Sequence, residues 1–306
     1  MKKTIHQKFD EFSNFLSNID AADLRSYKNE FFQQIDNIAE DLKRAPNREE
    51  LENQFYDICS KLEVSPIHRR CREKPLGYSG DYQTIDWIYT KKTAASGKAK
   101  LFDIMFHTYE GADAVRNRKQ WFIKKCLELA KKKIPLDILD LGCGPCRDVL
   151  EMYRASGNGS GNGKNIYFHC VDHEPEAIQY ANKLLAHMEY QKNIRLDCSN
   201  VFRLKTSKKY DLIWSAGLFD YLDDRIAALL LKKTWRLLKD DGQIIFGNFS
   251  PKNPARKGMG LALQWHLIHR TANDLIKLVR NAGIPFSELE VESESLGINL
   301  FCIISK

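Results

Sequence analysis

The stretch that decides the fold reads LDILDLGCGPCRDVL and covers residues 136–150. Its first six residues are mostly apolar and β-prone, which predicts a strand, and Pro145 is tolerated in the first turn of the helix that follows. Gly142 and Gly144 lie between the two elements, where glycine lets the backbone approach a bound group closely and the open N–H groups of the helix face the same spot. Residue 147 is arginine, so the third glycine of a dinucleotide fingerprint is missing. The stretch predicts a ligand-binding turn and weakens a pyrophosphate interpretation.

Further β-prone runs follow, with helical patterns between them. They are IYFHCVD (166–172), NIRLD (193–197), YDLIWS (210–215) and QIIFGNF (243–249). This alternation predicts βαβ units on a parallel sheet. Two last runs, 288–294 and 298–304, are separated by three residues, which is too short for a crossover, so they are expected to pair as an antiparallel hairpin. The predicted fold is α/β: a Rossmann-like, seven-stranded, mostly parallel sheet with a C-terminal antiparallel hairpin.

The first part of the chain has helical periodicity and no β-prone run. Apolar residues recur at three- and four-residue spacing over 4–65 and again over 112–131. The loop KPLGYSGD (74–81) separates these groups, and its glycines and position predict a flap. The sequence therefore predicts an N-terminal helical or lid domain over 1–132 and the α/β domain over 133–306.

Polar residues close the next strands of the predicted sheet. Asp172 ends the second strand, the expected place for an acid that accepts hydrogen bonds from both ribose hydroxyls of a nucleoside. Its distance from the glycine turn exceeds the usual ~20 residues, and the flexible insert SGNGSGNGK (156–164) accounts for the difference. Asp197, or Ser199 and Asn200 just beyond it, is expected to contact adenine, and the register between them stays open. Each acid alone could cap a helix, but together they favour a nucleoside ligand.

Cys143 and Cys146 form a CxxC motif at the same strand-to-helix turn, where a thiolate would be stabilised. A thioredoxin-like domain, however, lacks the acid-terminated second strand and the parallel series predicted here. No second CxxC or spaced histidine pair completes four metal ligands, so no metal site is predicted. Thiol redox chemistry is the last alternative.

Composition excludes several classes of protein. The 306 residues carry 47 Lys and Arg against 40 Asp and Glu, a net charge of +7 that is too small and too scattered to predict a nucleic-acid surface. No apolar stretch approaches the ~20 residues of a transmembrane helix, and the start is not of signal-peptide type. The eight cysteines are interpreted as reduced, buried residues. We expect a cytoplasmic protein.

The motifs DLGCG (140–144) and VDHEP (171–175), with the terminal hairpin, resemble class I S-adenosylmethionine (SAM) dependent methyltransferases. The resemblance implies SAM as cofactor. The implied cofactor-binding residues from these motifs and the end of the fourth strand are Gly142, Cys143, Gly144, Asp172, His173 and Ser215.

A narrower resemblance, from about residue 65 to the end, is to the family annotated for biosynthesis of extracellular factor, 3-hydroxypalmitic acid methyl ester. Its segments are GYSGDY (77–82), RNR (116–118), SAGLFDYLDDR (215–225), GNFSPKNPAR (247–256), QWHLIHRT (264–271) and GINLF (297–301). The chain departs from the family in its glycine-serine insert and in its first 60 residues. This resemblance implies methylation of a fatty-acid carboxylate. Such a carboxylate is already ionised at neutral pH, so no base has to remove a proton.

Chemistry suggests further residues around the cofactor. Asp81 and Tyr82, with Tyr78, are expected to close the flap over the methionine moiety. Arg116 or Arg118 is expected to meet the carboxylate of that moiety. The alternative is that the tyrosines pack and the arginines cap a helix.

The acyl substrate is expected at the carboxyl edge of the sheet, where open α/β folds bind ligands. Arg256, His269 and Arg270 follow the fifth strand and are predicted to hold the acid. Asn248 is expected to add a hydrogen bond and Trp265 an apolar wall.

The fourth strand does not end in the DPPY tetrad of enzymes that methylate the amines of nucleobases. Phe219, Tyr221 and Leu222 in that region are expected to line an apolar channel or to be core residues. The predicted partner is a small acidic or acyl molecule, and the oligomeric state stays open. Two alternatives remain: methylation of a hydroxyl or amine, with His266 or His269 as base, and a SAM-binding regulator without turnover.

Overall fold

The computed structural model describes residues 3–19, 24–157 and 162–306. The helices are α1 (Ile5–Ser17), α2 (Leu24–Leu42), α3 (Arg48–Ile58), α4 (Pro66–Glu73), α5 (Tyr82–Thr90), α6 (Gly97–His107), α7 (Glu110–Lys132), α8 (Arg147–Gly157), α9 (Pro175–Leu185), α10 (Asp224–Trp235), α11 (Arg256–Leu263) and α12 (Ala272–Ala282). The strands are β1 (Leu136–Leu141), β2 (Ile166–Asp172), β3 (Ile194–Cys198), β4 (Tyr210–Ser215), β5 (Leu238–Phe249), β6 (Glu288–Ser293) and β7 (Asn299–Ser305). Four of the nine residues of the predicted insert, 158–161, lie outside the described residues, and its first two end α8.

The seven strands form one sheet in the order β3-β2-β1-β4-β5-β7-β6. The pairs among β1 to β5 are parallel, whereas β7 pairs antiparallel with both β5 and β6. The predicted fold class, including the terminal hairpin, is therefore confirmed. The sequence pattern placed the start of β5 too late, since the strand begins at Leu238.

The sheet contains a topological switch point at its centre. Strand β1 pairs with β2 on one side and with β4 on the other, so the chain leaves β1 in one direction and returns on the opposite side. Open α/β sheets bind ligands in the crevice at the carboxyl ends of strands at such a point. The turn after β1 stands at this crevice.

By packing, the chain divides into two compact units. The first comprises residues 1–113 and 253–266, and the second comprises 114–252 and 267–306. The domain boundary between residues 132 and 133 stays a prediction. Most of α7 packs with the sheet, and the segment containing α11 packs with the N-terminal helices.

The first unit is built on aromatic packing between helices. Phe12 of α1 lies with its ring centroid 5.5 Å from Phe31 of α2 and 5.0 Å from Phe55 of α3. Gly258 of α11 sits against α2, because a Cβ at this position would lie 3.2 Å from Phe32. The inserted helix thus completes the helical core of this unit.

The second unit buries both faces of its sheet. On one face Trp214 of β4 stacks on Phe122 of α7 with 4.4 Å between ring centroids. On the other face Phe246 of β5 stacks on Phe219 at 4.0 Å. Such two-sided burial fits a parallel sheet covered by helices, and it leaves the carboxyl edge as the place for a ligand.

Among the helices of residues 3–19, 24–157 and 162–306, none combines the length and the hydropathy of a transmembrane segment.

Candidate functional site

The turn after β1 adopts a backbone that favours glycine. Gly142 and Gly144 have φ values of +69° and +52°, in the left-handed region. The N–H groups of Gly142 and Cys143 both donate to the carbonyl of Val171 on β2, at 2.9 and 3.2 Å. A Cβ on Gly142 would lie 3.4 Å from Leu218, which follows β4. The turn is therefore held tightly between the ends of β2 and β4.

Asp172 joins the end of β2 to this glycine turn. Its Oδ2 accepts a hydrogen bond from the N–H of Gly144 at 2.9 Å, and its Oδ1 accepts one from the N–H of Glu174 at 3.0 Å. Each carboxylate oxygen can accept a second bond, so the acid can also receive ribose hydroxyls. The structure brings the two central features predicted from the sequence into direct contact.

A third acid, Asp140, lies at the end of β1 and was given no role by the sequence reasoning, although it opens the DLGCG motif. Its side chain is buried, and neither carboxylate oxygen has a hydrogen-bond partner within the described chain. Burial and the charges of Asp148 and Asp172 raise the pKa of Asp140 well above its usual value. A buried acid without partners is unfavourable, and a cation bound beside it would remove that cost. The sulfonium and ammonium groups of SAM are such cations, so this site fits the cofactor.

The residues expected at the adenine ring differ in their surroundings. Asp197 is engaged with its neighbours, because its Oδ2 lies 3.3 Å from Nε2 of His169 and 3.1 Å from a guanidinium nitrogen of Arg195. The N–H of Ser199 donates to the carbonyl of Asp172 at 2.9 Å, and its buried hydroxyl has no partner in the described residues. Asn200 accepts a bond from a backbone N–H two residues on. Of the three residues expected at the adenine ring, Ser199 is thus the one that is hydrogen-bonded to Asp172.

Two other predicted cofactor residues flank the turn. His173 is largely exposed, with Nδ1 3.6 Å from Asp172 and Nε2 2.9 Å from Glu174. The hydrogen bond with Asp172 raises the pKa of His173. Ser215 at the end of β4 donates from its buried hydroxyl to the carbonyl of Leu141 at 2.9 Å, so it braces the turn from within the sheet.

The two cysteines of the CxxC motif lie in a buried group of three thiols. Cys143 and Cys146 are buried and interact with the thiol of Cys170 on β2. The pKa of each of the three thiols is raised well above its usual value, by hydrogen bonding within the group and by burial. Thiol chemistry needs the thiolate, so the geometry disfavours the redox alternative. The described residues also contain no cluster of three or more His, Cys, Asp or Glu suited to a metal ion.

Arg118 of α7 reaches the carboxyl ends of the central strands. One of its terminal nitrogens lies 3.2 Å from the carbonyl of Ala216 and 3.4 Å from Oδ1 of Asn299. The side chain is only 4% exposed, its Nε has no hydrogen-bond partner, and within the described residues no carboxylate forms an ion pair with it. A buried guanidinium normally has an anionic partner. Arg116, two residues earlier, is half-buried on the same helix.

Arg270 and Asn248 were predicted to hold the acid, but the protein itself occupies their polar atoms. Arg270 is 3% exposed and donates to the carbonyls of Phe219 and Leu222, to Oδ1 of Asn248 and to Asp224. The fully buried Asn248 donates to Asp220 and to the carbonyls of Phe249 and Ile268. All three guanidinium nitrogens of Arg270 are engaged, so the geometry makes both residues braces of the edge rather than a clamp.

Asp220 follows β4 and is a further residue that the sequence reasoning left without a role. Its Oδ1 accepts hydrogen bonds from Nδ2 of Asn248 at 3.0 Å and from the N–H of Phe249 at 2.7 Å. Burial raises the pKa of Asp220 to about 7, against the lowering effects of the Phe249 N–H, Arg118 and Arg270. The sequence feature that could have identified Asp220 is its position in the segment directly after the fourth strand, at the carboxyl edge of the sheet.

Of the other residues predicted near the acceptor, His269 is half-buried, with Nδ1 3.0 Å from the carbonyl of Leu267 and its ring 6.5 Å from Phe249. Phe219 is a core residue, whereas Tyr221 is 37% exposed and Leu222 is half-buried.

The remaining candidates belong to the first unit. Asp81 is fully buried, caps α5 through the N–H groups of Gln83 and Thr84, and pairs with Arg70 at 2.7 Å. Tyr82 begins α5, with its ring 5.7 Å from the guanidinium of Arg70. Three candidates for the acceptor site also belong to this unit. Arg256 and His266 are exposed, and Trp265 is buried. Asp81 thus caps a helix and pairs with an arginine of its own unit, and its role at the cofactor stays a prediction.

Comparison with protein families gives one match. Residues 133–282 match a family described as a methyltransferase domain. No match was found among curated proteins.

Solved structures with the same architecture include two that cover most of this chain. A possible exported protein from Bordetella parapertussis is 18% identical, with 99% of this chain and 97% of that chain covered and a TM-score of 0.63. A putative O-methyltransferase from Nostoc punctiforme is 15% identical, with 81% and 71% covered and a TM-score of 0.52. At such identities these similarities establish the fold.

Proposed function

We propose that residues 133–282, which match a family described as a methyltransferase domain, form a class I SAM-dependent methyltransferase domain that O-methylates the carboxylate of a small acid. The favoured acceptor is a 3-hydroxy fatty acid, which would yield its methyl ester, as the narrower sequence resemblance implies.

The residues proposed to hold the cofactor surround the turn after β1. The bend at Gly142 and Gly144 lets the backbone approach the ligand, and Asp172 receives the ribose hydroxyls beside it. Asp140 faces the cationic end, and Ser199 faces the base. When bound, SAM supplies an electrophilic methyl group on a positively charged sulfur. Arg116 is proposed to meet the carboxylate of its methionine moiety.

One observation carries the choice of an anionic acceptor: the buried guanidinium of Arg118 forms no ion pair with a carboxylate of the described residues, and Asp148 and Asp220 act on it only through their charges from a greater distance. It reaches the ends of β4 and β7, at the carbonyl of Ala216 and the side chain of Asn299. An acceptor carboxylate bound there would satisfy the arginine and be fixed in line with the methyl group. Such positioning contributes roughly 7–11 kcal/mol in favourable cases, and an ionised acid needs no base.

A second candidate, methylation of a hydroxyl or amine, is favoured by one observation. Asp220 is an acid with a pKa of about 7 at the same edge, and general bases work best near the operating pH. An acceptor with a proton to lose could use it.

The experiment that separates these candidates is transfer of a tritiated methyl group from SAM to a panel of acids, alcohols and amines. Only the acids should give labelled products. These products should release labelled methanol in mild base, because they are methyl esters. Base-stable products, or labelling of alcohols or amines in preference to acids, would contradict it. SAM binding without turnover on any acceptor would favour the regulator instead.

We also propose a cytoplasmic location. All eight cysteines are free thiols and seven of them are buried, as is usual in a reducing compartment.

A further inference from the structure

The two carboxylate oxygens of Asp220 differ in their hydrogen bonds. Oδ1 accepts two hydrogen bonds, from Asn248 and Phe249, whereas Oδ2 accepts none within the described residues. The residue is 3% exposed. In a buried carboxyl group both oxygens normally form hydrogen bonds. Oδ2 is therefore held in a fixed position and can still form a hydrogen bond with a ligand.

Asp220 also lies at the ligand crevice. Two residues earlier, Leu218 lies against the bend at Gly142. The residues that donate hydrogen bonds to Asp220, Asn248 and Phe249, are the last two residues of β5. The acid therefore stands at the carboxyl ends of β4 and β5, beside the cofactor turn, where a methyl acceptor has to approach.

Charged and titratable groups surround Asp220 from several elements. Arg118 of α7 acts on it from one side, and Arg270 acts from the segment that follows residue 266. Arg270 is paired with the exposed Asp224 of α10 at 2.7 Å. His269 lies next to Arg270, and Ile268 donates its N–H to the carbonyl of Asp220 at 2.8 Å. Asp224 and His269 are thus the neighbours that a pH experiment has to control.

We propose that Asp220 in its protonated form donates a hydrogen bond from Oδ2 to the carboxylate of the acceptor, next to Arg118. This role rests on the proposed function, since it requires an anionic acceptor. Two anions placed together repel, so an ionised Asp220 would exclude the acid that Arg118 attracts. A carboxyl group kept neutral by its surroundings can act as a donor at an anion site.

The state of Asp220 agrees with this role. Burial raises its pKa to about 7, so the neutral form predominates below that pH. Both hydrogen bonds that the protein makes to this carboxyl group go to Oδ1. Oδ2 can therefore carry the proton without disturbing them. The donor form is therefore populated where a fatty acid, with a pKa near 4–5, is already ionised.

The test is the pH profile of kcat/KM for methyl ester formation between pH 6 and pH 9, compared for wild type and Asp220→Asn. Asparagine keeps an oxygen for Asn248 and Phe249 and can place an N–H at the Oδ2 position at every pH. The wild type should lose roughly 50-fold between pH 7 and pH 9, as the protonated fraction falls. Asp220→Asn should stay active and lose less than about threefold, because its donor does not titrate.

Three further variants serve as controls. Asp223→Asn makes the same chemical change three residues away at an exposed helix cap, and it should keep the wild-type profile. Asp224→Asn and His269→Gln should also keep the fall above pH 7, which excludes these neighbours as its source. Titration of SAM itself affects all variants alike, so the difference between profiles isolates Asp220.

The outcomes separate the inference from the proposed function. Ester formation with identical profiles for wild type and Asp220→Asn would overturn the donor role and leave the proposed function intact. A wild-type rate that rises with pH, together with an inactive Asp220→Asn, would make Asp220 a base and overturn the inference. If wild type forms no ester from any acid, the proposed function and this role fail together.

Discussion

Replacing Asp172 by alanine removes the acid that joins the glycine turn to the end of β2. The folded state then loses the acceptor for the N–H groups of Gly144 and Glu174, at about 1–3 kcal/mol for each donor left unsatisfied. The cofactor loses charged hydrogen bonds to two ribose hydroxyls, which should weaken SAM binding by at least about 100-fold.

A thermal-unfolding assay with SAM separates these two losses. At 100 times its dissociation constant, a ligand stabilises the folded state by about 2.7 kcal/mol. For a unit of about 180 residues this raises Tm by roughly 5–11 °C. At the same SAM concentration a variant that binds 100-fold more weakly gains about 0.4 kcal/mol, or about 1 °C. Asp172→Ala should therefore start at a lower Tm and respond weakly to SAM.

The matched control is Asp274→Ala, another acid-to-alanine change in the same unit. Asp274 completes the capping box of α12, so its loss should lower Tm by a few degrees, at about 1 kcal/mol for a cap, and leave the full response to SAM. If Asp172→Ala also keeps the full response, Asp172 does not bind the cofactor and the reasoning from the turn is refuted.

Three other predictions follow from particular side chains. Arg118→Met should raise the KM for the acid at least about 10-fold, because a charged hydrogen bond of about 1.5–3 kcal/mol is lost. The dissociation constant of S-adenosylhomocysteine should change less than threefold. Weaker cofactor binding with an unchanged KM would assign Arg118 to the cofactor instead. The double variant of Cys143 and Cys146 to alanine should retain turnover, measured by methyl transfer, because neither thiol forms a reactive thiolate; complete loss with thiol-dependent disulfide reduction by the wild type would reverse this. Burial lowers the pKa of His68 to about 3, below its unfolded value, so only the unfolded state takes up this proton between about pH 6.5 and pH 3, and stability should fall with falling pH by about 1.4 kcal/mol per unit from this site. Denaturant unfolding of wild type and His68→Gln should show a shallower fall for the variant; equal slopes would contradict the assignment.

The sequence predicted the fold and the cofactor turn because those features are local. Strand β1, the two glycines and the acid that ends β2 are each recognisable within a short window, and the sheet topology brings their ends together. The terminal hairpin was equally local, since three residues cannot hold a crossover.

The acceptor edge could not be predicted in the same way, because distant partners decide its chemistry. Arg270 bonds to residues 46–51 positions earlier in the chain, and these contacts turn a predicted clamp into a brace. Asp220 acquires its properties from burial and from Asn248, 28 residues later. The packing of residues 253–266 with the N-terminal helices likewise has no local pattern that announces it.

The most direct test of the account is a crystal structure of the protein with S-adenosylhomocysteine. Both ribose hydroxyls should lie within hydrogen-bond distance of the Asp172 carboxylate, the homocysteine chain should pass the bend at Gly142 and Gly144, and its amino group should lie beside Asp140. A nucleoside bound elsewhere, or Asp172 and the glycine bend on separate sides of the ligand, would contradict it.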